Sequence, residues 1–327
     1  MANFNGSSSF ILAGEESTFK TAVTANKDLG ILATTDVSEE NGTIDVRGIG
    51  DRESCALVPG NYGATISVDG TLNSGAILEM FFGQSTDTET TGDYKHTFVD
   101  RGTLDIAADA KSYTVQLNLE DSAGTDYTFD YAGVKCNTLD ITLEVGNPIT
   151  FSAELLAATV TTGTTLGTEV KTSTVPLTFA QATLSTGTEG SETSLGQVQS
   201  FSISFNNNMS LDDIRELGSR EASALIAKNL ETTGEFTLTF QNKTEAERFY
   251  GSTTPQNTLT DVGIVLNANN GVTLGSGRVD FYIKLLNCQY ESLGRTISQD
   301  GVVEETYTYR AGNIDDIYFT DAVSTYF

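Results

Sequence analysis

The chain has 327 residues and carries 44 acidic against 18 basic side chains, a formal net charge of −26. Such a balance excludes a nucleic-acid binder, because neutralising phosphates takes clustered Lys and Arg. A single histidine (His96), no tryptophan and three scattered cysteines (Cys55, Cys136, Cys288) exclude most His-based catalysis, disulfide frameworks and zinc knuckles, leaving the cysteines as expected buried free thiols.

In chain order, residues 1–10 lack the basic and apolar regions of a signal peptide. No apolar run approaches the ~18 residues of a membrane span, so a soluble protein without a membrane partner is expected. A helix is predicted from near Asn73 to Gly83, followed by a polar insertion over 84–111 that holds His96 as an expected exposed loop histidine. Strict alternation in Val115-Gln116-Leu117-Asn118-Leu119 predicts a half-buried strand, and further strands are predicted over 125–132, 135–145 and 149–157. Turn signals at Asp121-Ser122-Ala123-Gly124 and Gly146-Asn147-Pro148 separate them. Residues 159–174 and 185–197 read as linker or loop around the apolar, strand-like Val175-Pro176-Leu177-Thr178-Phe179, which is expected to join the second domain's sheet. Strands alternate again at Phe201–Phe205 and Phe236–Phe240. A helix is predicted from Ser210 to Leu217, and another from Asn242, with Glu245 at its third position and Gly251 as its stop. Strands over 262–267, 279–286 and 302–310 complete the pattern.

Sliding the chain on itself by 168 positions lays residues 46–83 on 214–251 without a gap, and 12 of those 38 positions are identical. Arg47, Arg52 and Glu53 fall on Arg215, Arg220 and Glu221. A second block aligns Phe129 and Cys136 with Phe281 and Cys288. The fold class expected is therefore mainly β: two tandem β-sandwich or barrel domains, 1–165 and 166–327, each with a short flanking α-helix. No dinucleotide fingerprint, P-loop, zincin or nucleophile-elbow motif is present, and Asp315-Asp316 and Glu304-Glu305 are expected as solvated surface. No catalytic, cofactor-binding or metal-binding residue is assigned, and no enzyme is expected.

A duplicated, acidic, Thr-rich β-protein of this layout resembles the tail tube (major tail) proteins of long-tailed phages and archaeal tailed viruses. The resembling pieces are Gly14–Phe19, Val198–Asn208, the strand-then-helix Gly234–Gly251, and Tyr131–Leu139 followed by another strand. The resemblance implies a structural virion protein, synthesised in the host cytoplasm. It would polymerise as stacked rings into a hollow tube through which viral DNA passes without specific binding. It implies self-association, with a terminator, a tape measure and a baseplate as further partners. A long loop or hairpin would reach the next ring, and 84–111 is the segment expected to do so, through Phe98, Val99, Leu104 and Ile106. Because the domain is duplicated, a homotrimeric ring of pseudo-sixfold symmetry is expected. Arg47, Arg52, Arg215 and Arg220 are candidate inter-subunit contacts, the alternative being pairing with Glu53 or Glu221. The acid excess fits a haloarchaeal virus or simply a wall that rejects polyanions. The competing readings are an exported adhesin or surface-layer-like binding module, and another tail or baseplate ring protein of the same fold.

Overall fold

Strands dominate the computed structural model, which describes all residues except 1–3, 5, 7, 91, 100–110, 172–174, 259–260, 275–276, 298 and 300. The first half contains β1 (Phe10–Glu16), β2 (Ile31–Glu40), a small hairpin of β3 (Ile44–Val46) and β4 (Ala56–Val58), and β5 (Gly63–Thr71). Then come α1 (Ala76–Phe82), a second hairpin of β6 (Thr86–Thr90) and β7 (Asp93–Val99), β8 (Ser112–Glu120), β9 (Asp126–Glu144), β10 (Thr150–Ala157) and β11 (Thr159–Thr162). The second half contains β12 (Ala182–Gly187), β13 (Thr193–Ser194), β14 (Val198–Asn206), a hairpin of β15 (Ile214–Arg215) and β16 (Ala222–Ala224), β17 (Glu231–Thr239), α2 (Thr244–Tyr250), β18 (Val262–Leu274), β19 (Gly277–Thr296) and β20 (Glu304–Asp321).

The two halves repeat one pairing scheme. In the first, the order β1-β8-β9-β10-β5-β2 is antiparallel throughout; in the second, β12-β18-β19-β20-β17-β14 follows it strand for strand. Registers repeat as well. Thr71 opposes Thr150 and Ala64 opposes Ala157, just as Thr239 opposes Glu304 and Thr232 opposes Ala311. The bulge of β2 between Leu32 and Thr34 recurs in β14 between Val198 and Ser200. Two strand pairings join the halves: β14 lies on the C-terminal half of β9, so both sheets run into one, and β7 lies on the end of β20.

β9 and β19 serve two layers because each is kinked. Its N-terminal half pairs with β8 and β11, its C-terminal half with β10 and β14. The kink sits at Gly133 (φ 65°), where a Cβ would come within 2.8 Å of the Lys20 side chain, and at Asn287 (φ 51°) in β19. Glycine and asparagine are the residues that tolerate this left-handed conformation. A glutamate accepts the kinked amide N–H in both: Glu16 from Gly133 at 3.0 Å, Glu189 from Asn287 at 2.6 Å. The register makes Tyr290, not Cys288, the counterpart of Cys136, and by the same offset Ile283, not Phe281, the counterpart of Phe129, so the expected second block is two residues out of step.

Both helices end on a left-handed glycine, Gly83 (φ 65°) and Gly251 (φ 79°), as anticipated. The helix expected over Ser210–Leu217 does not form. Ser210 Oγ accepts the Asp212 N–H at 3.2 Å, but the chain then turns and Ile214–Arg215 pairs with β16 instead. Tertiary contacts override the local signal: Leu211 abuts Gly63, and the Arg215 guanidinium is drawn to the Tyr62 and Arg220 carbonyls. Residues 175–179 form no strand either. Leu177 is buried between Leu72 and Ile149, donating its N–H to the Leu72 carbonyl and accepting the Ile149 N–H, and β12 and β13 occupy part of the expected loop beyond it. Cys136 and Cys288 are buried, burial pushing the Cys288 thiol up to about 12, whereas Cys55 is exposed. A buried thiol was expected there, but Cys55 lies beside the β3–β4 hairpin, whose strands are exposed throughout.

Candidate functional site: a polar sheet face and two open strand edges

Opposed residues of antiparallel strands lie on one face. Following the registers from β2 through β5, β10, β9, β14, β17 and β20 to β19 separates two unlike faces across eight strands. One holds Ile66, Val68, Leu139, Ile141, Phe151, Phe201, Ile203, Phe205 and Phe236, all buried, with Phe81 and Phe82 of α1 lying 5.7 and 5.6 Å from the Phe205 ring. The other is half-buried or exposed and made of short polar side chains such as Ser38, Ser67, Thr142, Ser152, Ser202, Ser204, Thr306 and Thr308. Its charges are Asp36, Glu40, Asp69, Asp140, Glu144, Glu154, Glu231, Glu235 and Glu304; among the described residues Arg310 and the half-buried Lys135, which opposes Leu156, are basic, and Arg310 is held by Glu231 and by Glu291 at 2.9 Å. Such a face offers nothing apolar to bury against another protein and no free cation to a phosphate.

This polar sheet ends in two open edges. Among the described residues, β2 pairs only with β5, and residues 289–296 of β19 pair only with β20, since β18 stops at Cys288. The counterparts of these edges, β14 and the end of β9, are one of the two pairs that join the halves.

The predicted contact residues separate into groups. Arg215 and Arg220 cross from the second half to the first. Arg215 Nη1 donates to the Tyr62 carbonyl at 3.1 Å, and Arg220 donates to the Gly60 carbonyl at 2.7 Å and to Asn41 Oδ1 at 2.7 Å. Neither uses Glu221, which is bound by Lys20 (2.7 Å) and by the Thr159 hydroxyl (2.6 Å). Burial would raise the Glu221 pKa, but these two partners hold it below the usual carboxylate range. Among the described residues Arg47 meets only Asp45 (2.6 Å), and Arg52 is exposed with no partner. Sequence reasoning marked the arginines by their repetition but could not give the targets of Arg215 and Arg220, which are mainly backbone carbonyls.

Residues 84–99 are not a free loop. β7 pairs with the end of β20, and Phe98 and Val99 are 1% exposed, packed in the protomer's own core with the Phe98 ring stacked on Phe82. These two side chains are therefore not presented to a neighbour; Leu104 and Ile106 lie outside the described residues. His96 is fully buried, contrary to expectation, because β20 annexes the hairpin. Its Nδ1 lies 2.8 Å from Asp87 Oδ1, and its Nε2 lies 2.8 Å from the Val323 carbonyl and 3.3 Å from Asp321 Oδ1. All three are acceptors, so the doubly protonated imidazolium satisfies them best. Burial pushes the His96 pKa down, but the hydrogen bonds and charges of Asp321 and Asp87 outweigh it and the net shift is upward. Tyr326 OH donates to Asp321 Oδ2 at 2.7 Å, which ties the chain end to this cluster. Glu305, expected as solvated surface, is likewise fully buried, accepting from Arg295 (2.5 Å) and Tyr307 OH (2.6 Å). Among the described residues no group of His, Cys, Asp and Glu is placed to hold a metal ion.

The family model described as phage tail tube protein matches residues 6–311. The chain belongs to the phage tail tube protein family. It is thus a structural component of a virion, a protein that assembles with copies of itself and with other tail proteins to build the tail tube. Among solved structures it is similar to the SPP1 tail tube determined by solid-state NMR and cryo-EM, with 11% identity and a TM-score of 0.33, over 46% of this chain and 82% of that one. A search of curated proteins gives no match. No helix among the described residues is long and apolar enough to cross a membrane.

Proposed function

We propose that this tail tube protein forms rings of three chains, that the polar eight-stranded face lines the channel, and that the rings stack into the tube through which the viral DNA is ejected. The reading is carried by the joint of β14 on β9, which sets the two halves side by side in one sheet as neighbours in a ring would be. A half contributes four strands to this sheet, so three chains supply the six repeats that single-repeat relatives would draw from six. Closing the ring also removes the open edges, which are aggregation liabilities in a lone protomer. The lining of hydroxyls and carboxylates repels the phosphate backbone and leaves no counterions to be released by contact.

Stacking is assigned to the β3–β4 and β15–β16 hairpins in place of 84–99. Their tips present Ile49 and Leu217, 109% and 107% exposed, each just before a left-handed glycine, Gly50 or Gly218. Equivalent apolar tips in both halves would give the ring six pegs for the next ring, three of Ile49 and three of Leu217. Tape measure, terminator and baseplate proteins are the expected partners at the tube's core and ends. Negative-stain electron microscopy with native mass measurement on isolated rings tests the reading. Hollow tubes and a ring mass of three chains are expected; six chains, or monomers at every salt and protein concentration, would overturn it.

A further inference from the structure

The joint inside the chain is a template for a joint between chains. By their common pairing to β5 and β17, residues 34–40 of β2 correspond to 200–206 of β14. By their pairing to β10 and β20, residues 292–296 of β19 correspond to 138–142 of β9, with a matching bulge after Cys136 and after Tyr290. The side chains left bare are those whose counterparts are covered. Leu143, opposite Phe201, is 7% exposed, whereas its counterpart Ile297 is 76% exposed. The arginines follow the same rule: Arg215 and Arg220 are spent on the other half of their own chain, while Arg47 and Arg52 protrude beside the open edge of β2.

We infer that β2 of one chain pairs antiparallel with residues 292–297 of β19 in the next, Ser38 opposite Gly294 and Thr35 opposite Ile297, and that Arg47 and Arg52 bind backbone carbonyls of the neighbour's 228–230 segment. The inference rests on the ring reading and gives its lateral contact a register. Carried over from the internal joint, in which Ser204 opposes Asp140, that register covers Ile297 and places the Glu39 carboxylate diagonally across from Arg295. The acceptors for Arg47 and Arg52 are the equivalents of the Tyr62 and Gly60 carbonyls, namely those of Leu230 and Lys228 in the neighbouring chain.

The test is a disulfide placed across the joint of the full chain, in a Cys55→Ser background so that the exposed thiol does not interfere. Ser38→Cys with Gly294→Cys puts two thiols opposite one another. Gly294 accepts the new side chain, since a Cβ there meets nothing closer than the Thr306 carbonyl at 3.9 Å, and opposed Cα atoms in an antiparallel pair fall within disulfide range. Ser38→Cys with Thr296→Cys is the off-register control. The assembled sample is oxidised, run on a non-reducing gel and imaged in parallel. A ladder of covalent dimers and trimers from the first pair, absent from the control, supports the inference. Rings that form but fail to cross-link through the first pair, or cross-link through the control, overturn the register while leaving the tube reading intact. Absence of rings from the unmodified chain overturns both.

Discussion

Removing the imidazole of His96 should cost more than any other single polar substitution in the first half. The ring satisfies three acceptors, and the Asp321 carboxylate it faces is fully buried, so His96→Ala leaves that charge with only the Tyr326 hydroxyl and the Val323 amide. Breaking a buried pair from one side costs about 3–5 kcal/mol, which for a chain of this size lowers Tm by roughly 4–7 °C. The damage is local first: residues 321–327 close over α1, with the Tyr326 ring 4.3 Å from His96 and Phe327 4.9 Å from Tyr113. The folded pKa of His96 is raised above its ordinary 6.5. Its stabilisation is therefore fully present below pH 6.5 and is lost as the pH climbs through the raised value. Thermal unfolding of the unassembled protomer, scanned from pH 5 to 9, should show stability falling on the alkaline side, and His96→Gln should abolish that fall. A wild-type profile flat across this range, or an unchanged slope in the variant, would refute the imidazolium latch.

Other substitutions separate fold from assembly. Phe205→Ala empties the space between Phe81 and Phe82 and should cost about 3–5 kcal/mol in denaturant titration. Arg220→Ala should destabilise the protomer by about 1 kcal/mol, its bonds to Gly60 and Asn41 being exposed. Arg52→Ala should leave protomer unfolding within about 0.5 kcal/mol of wild type yet raise the concentration needed for rings in sedimentation. Ile49→Asp with Leu217→Asp should yield single rings and no tubes by negative stain. Lysines at Ser202 and Ser204 should make assembled tubes retain DNA in a salt-dependent way, whereas wild-type tubes retain none in a filter assay.

What could be read from the chain was whatever depended on neighbours in sequence. Alternation gave the strands at 115–119, 201–205 and 236–240, and glycine gave the ends of both helices. The 168-residue offset carries β5 onto β17 and α1 onto α2 residue for residue. What could not be read depended on distant partners. The segments 125–132 and 135–145 are one strand because Gly133 kinks it without ending its pairing. Ser210–Leu217 has a helix start but not a helix, because Arg215 finds carbonyls in the other half. His96 sits in a polar stretch that looks like a loop, and only β20, more than two hundred residues later, makes it core. The polar face was foreseen as a charge balance; which strands build it needed the registers.

Duplication matters most at the joints, because it frees one from the constraints of the other. In a ring of identical single repeats every lateral joint has the same residues, and strengthening one strengthens all. Here the internal joint is apolar: Phe201, Ile203 and Phe205 oppose Leu143, Ile141 and Leu139, all buried. The corresponding positions on the open edges are Thr35, Val37 and Glu39, facing Ile297, Arg295 and Leu293. An apolar edge of the first kind, exposed on a free protomer, would invite uncontrolled sheet growth. Confining it inside the chain, where tethering raises its effective concentration, allows the exposed edges to carry Thr35, Glu39 and Arg295 among their apolar residues. On the proposed ring, the charged members of these edges, Glu39 and Arg295, make the lateral contact more sensitive to salt than the apolar joint inside the chain.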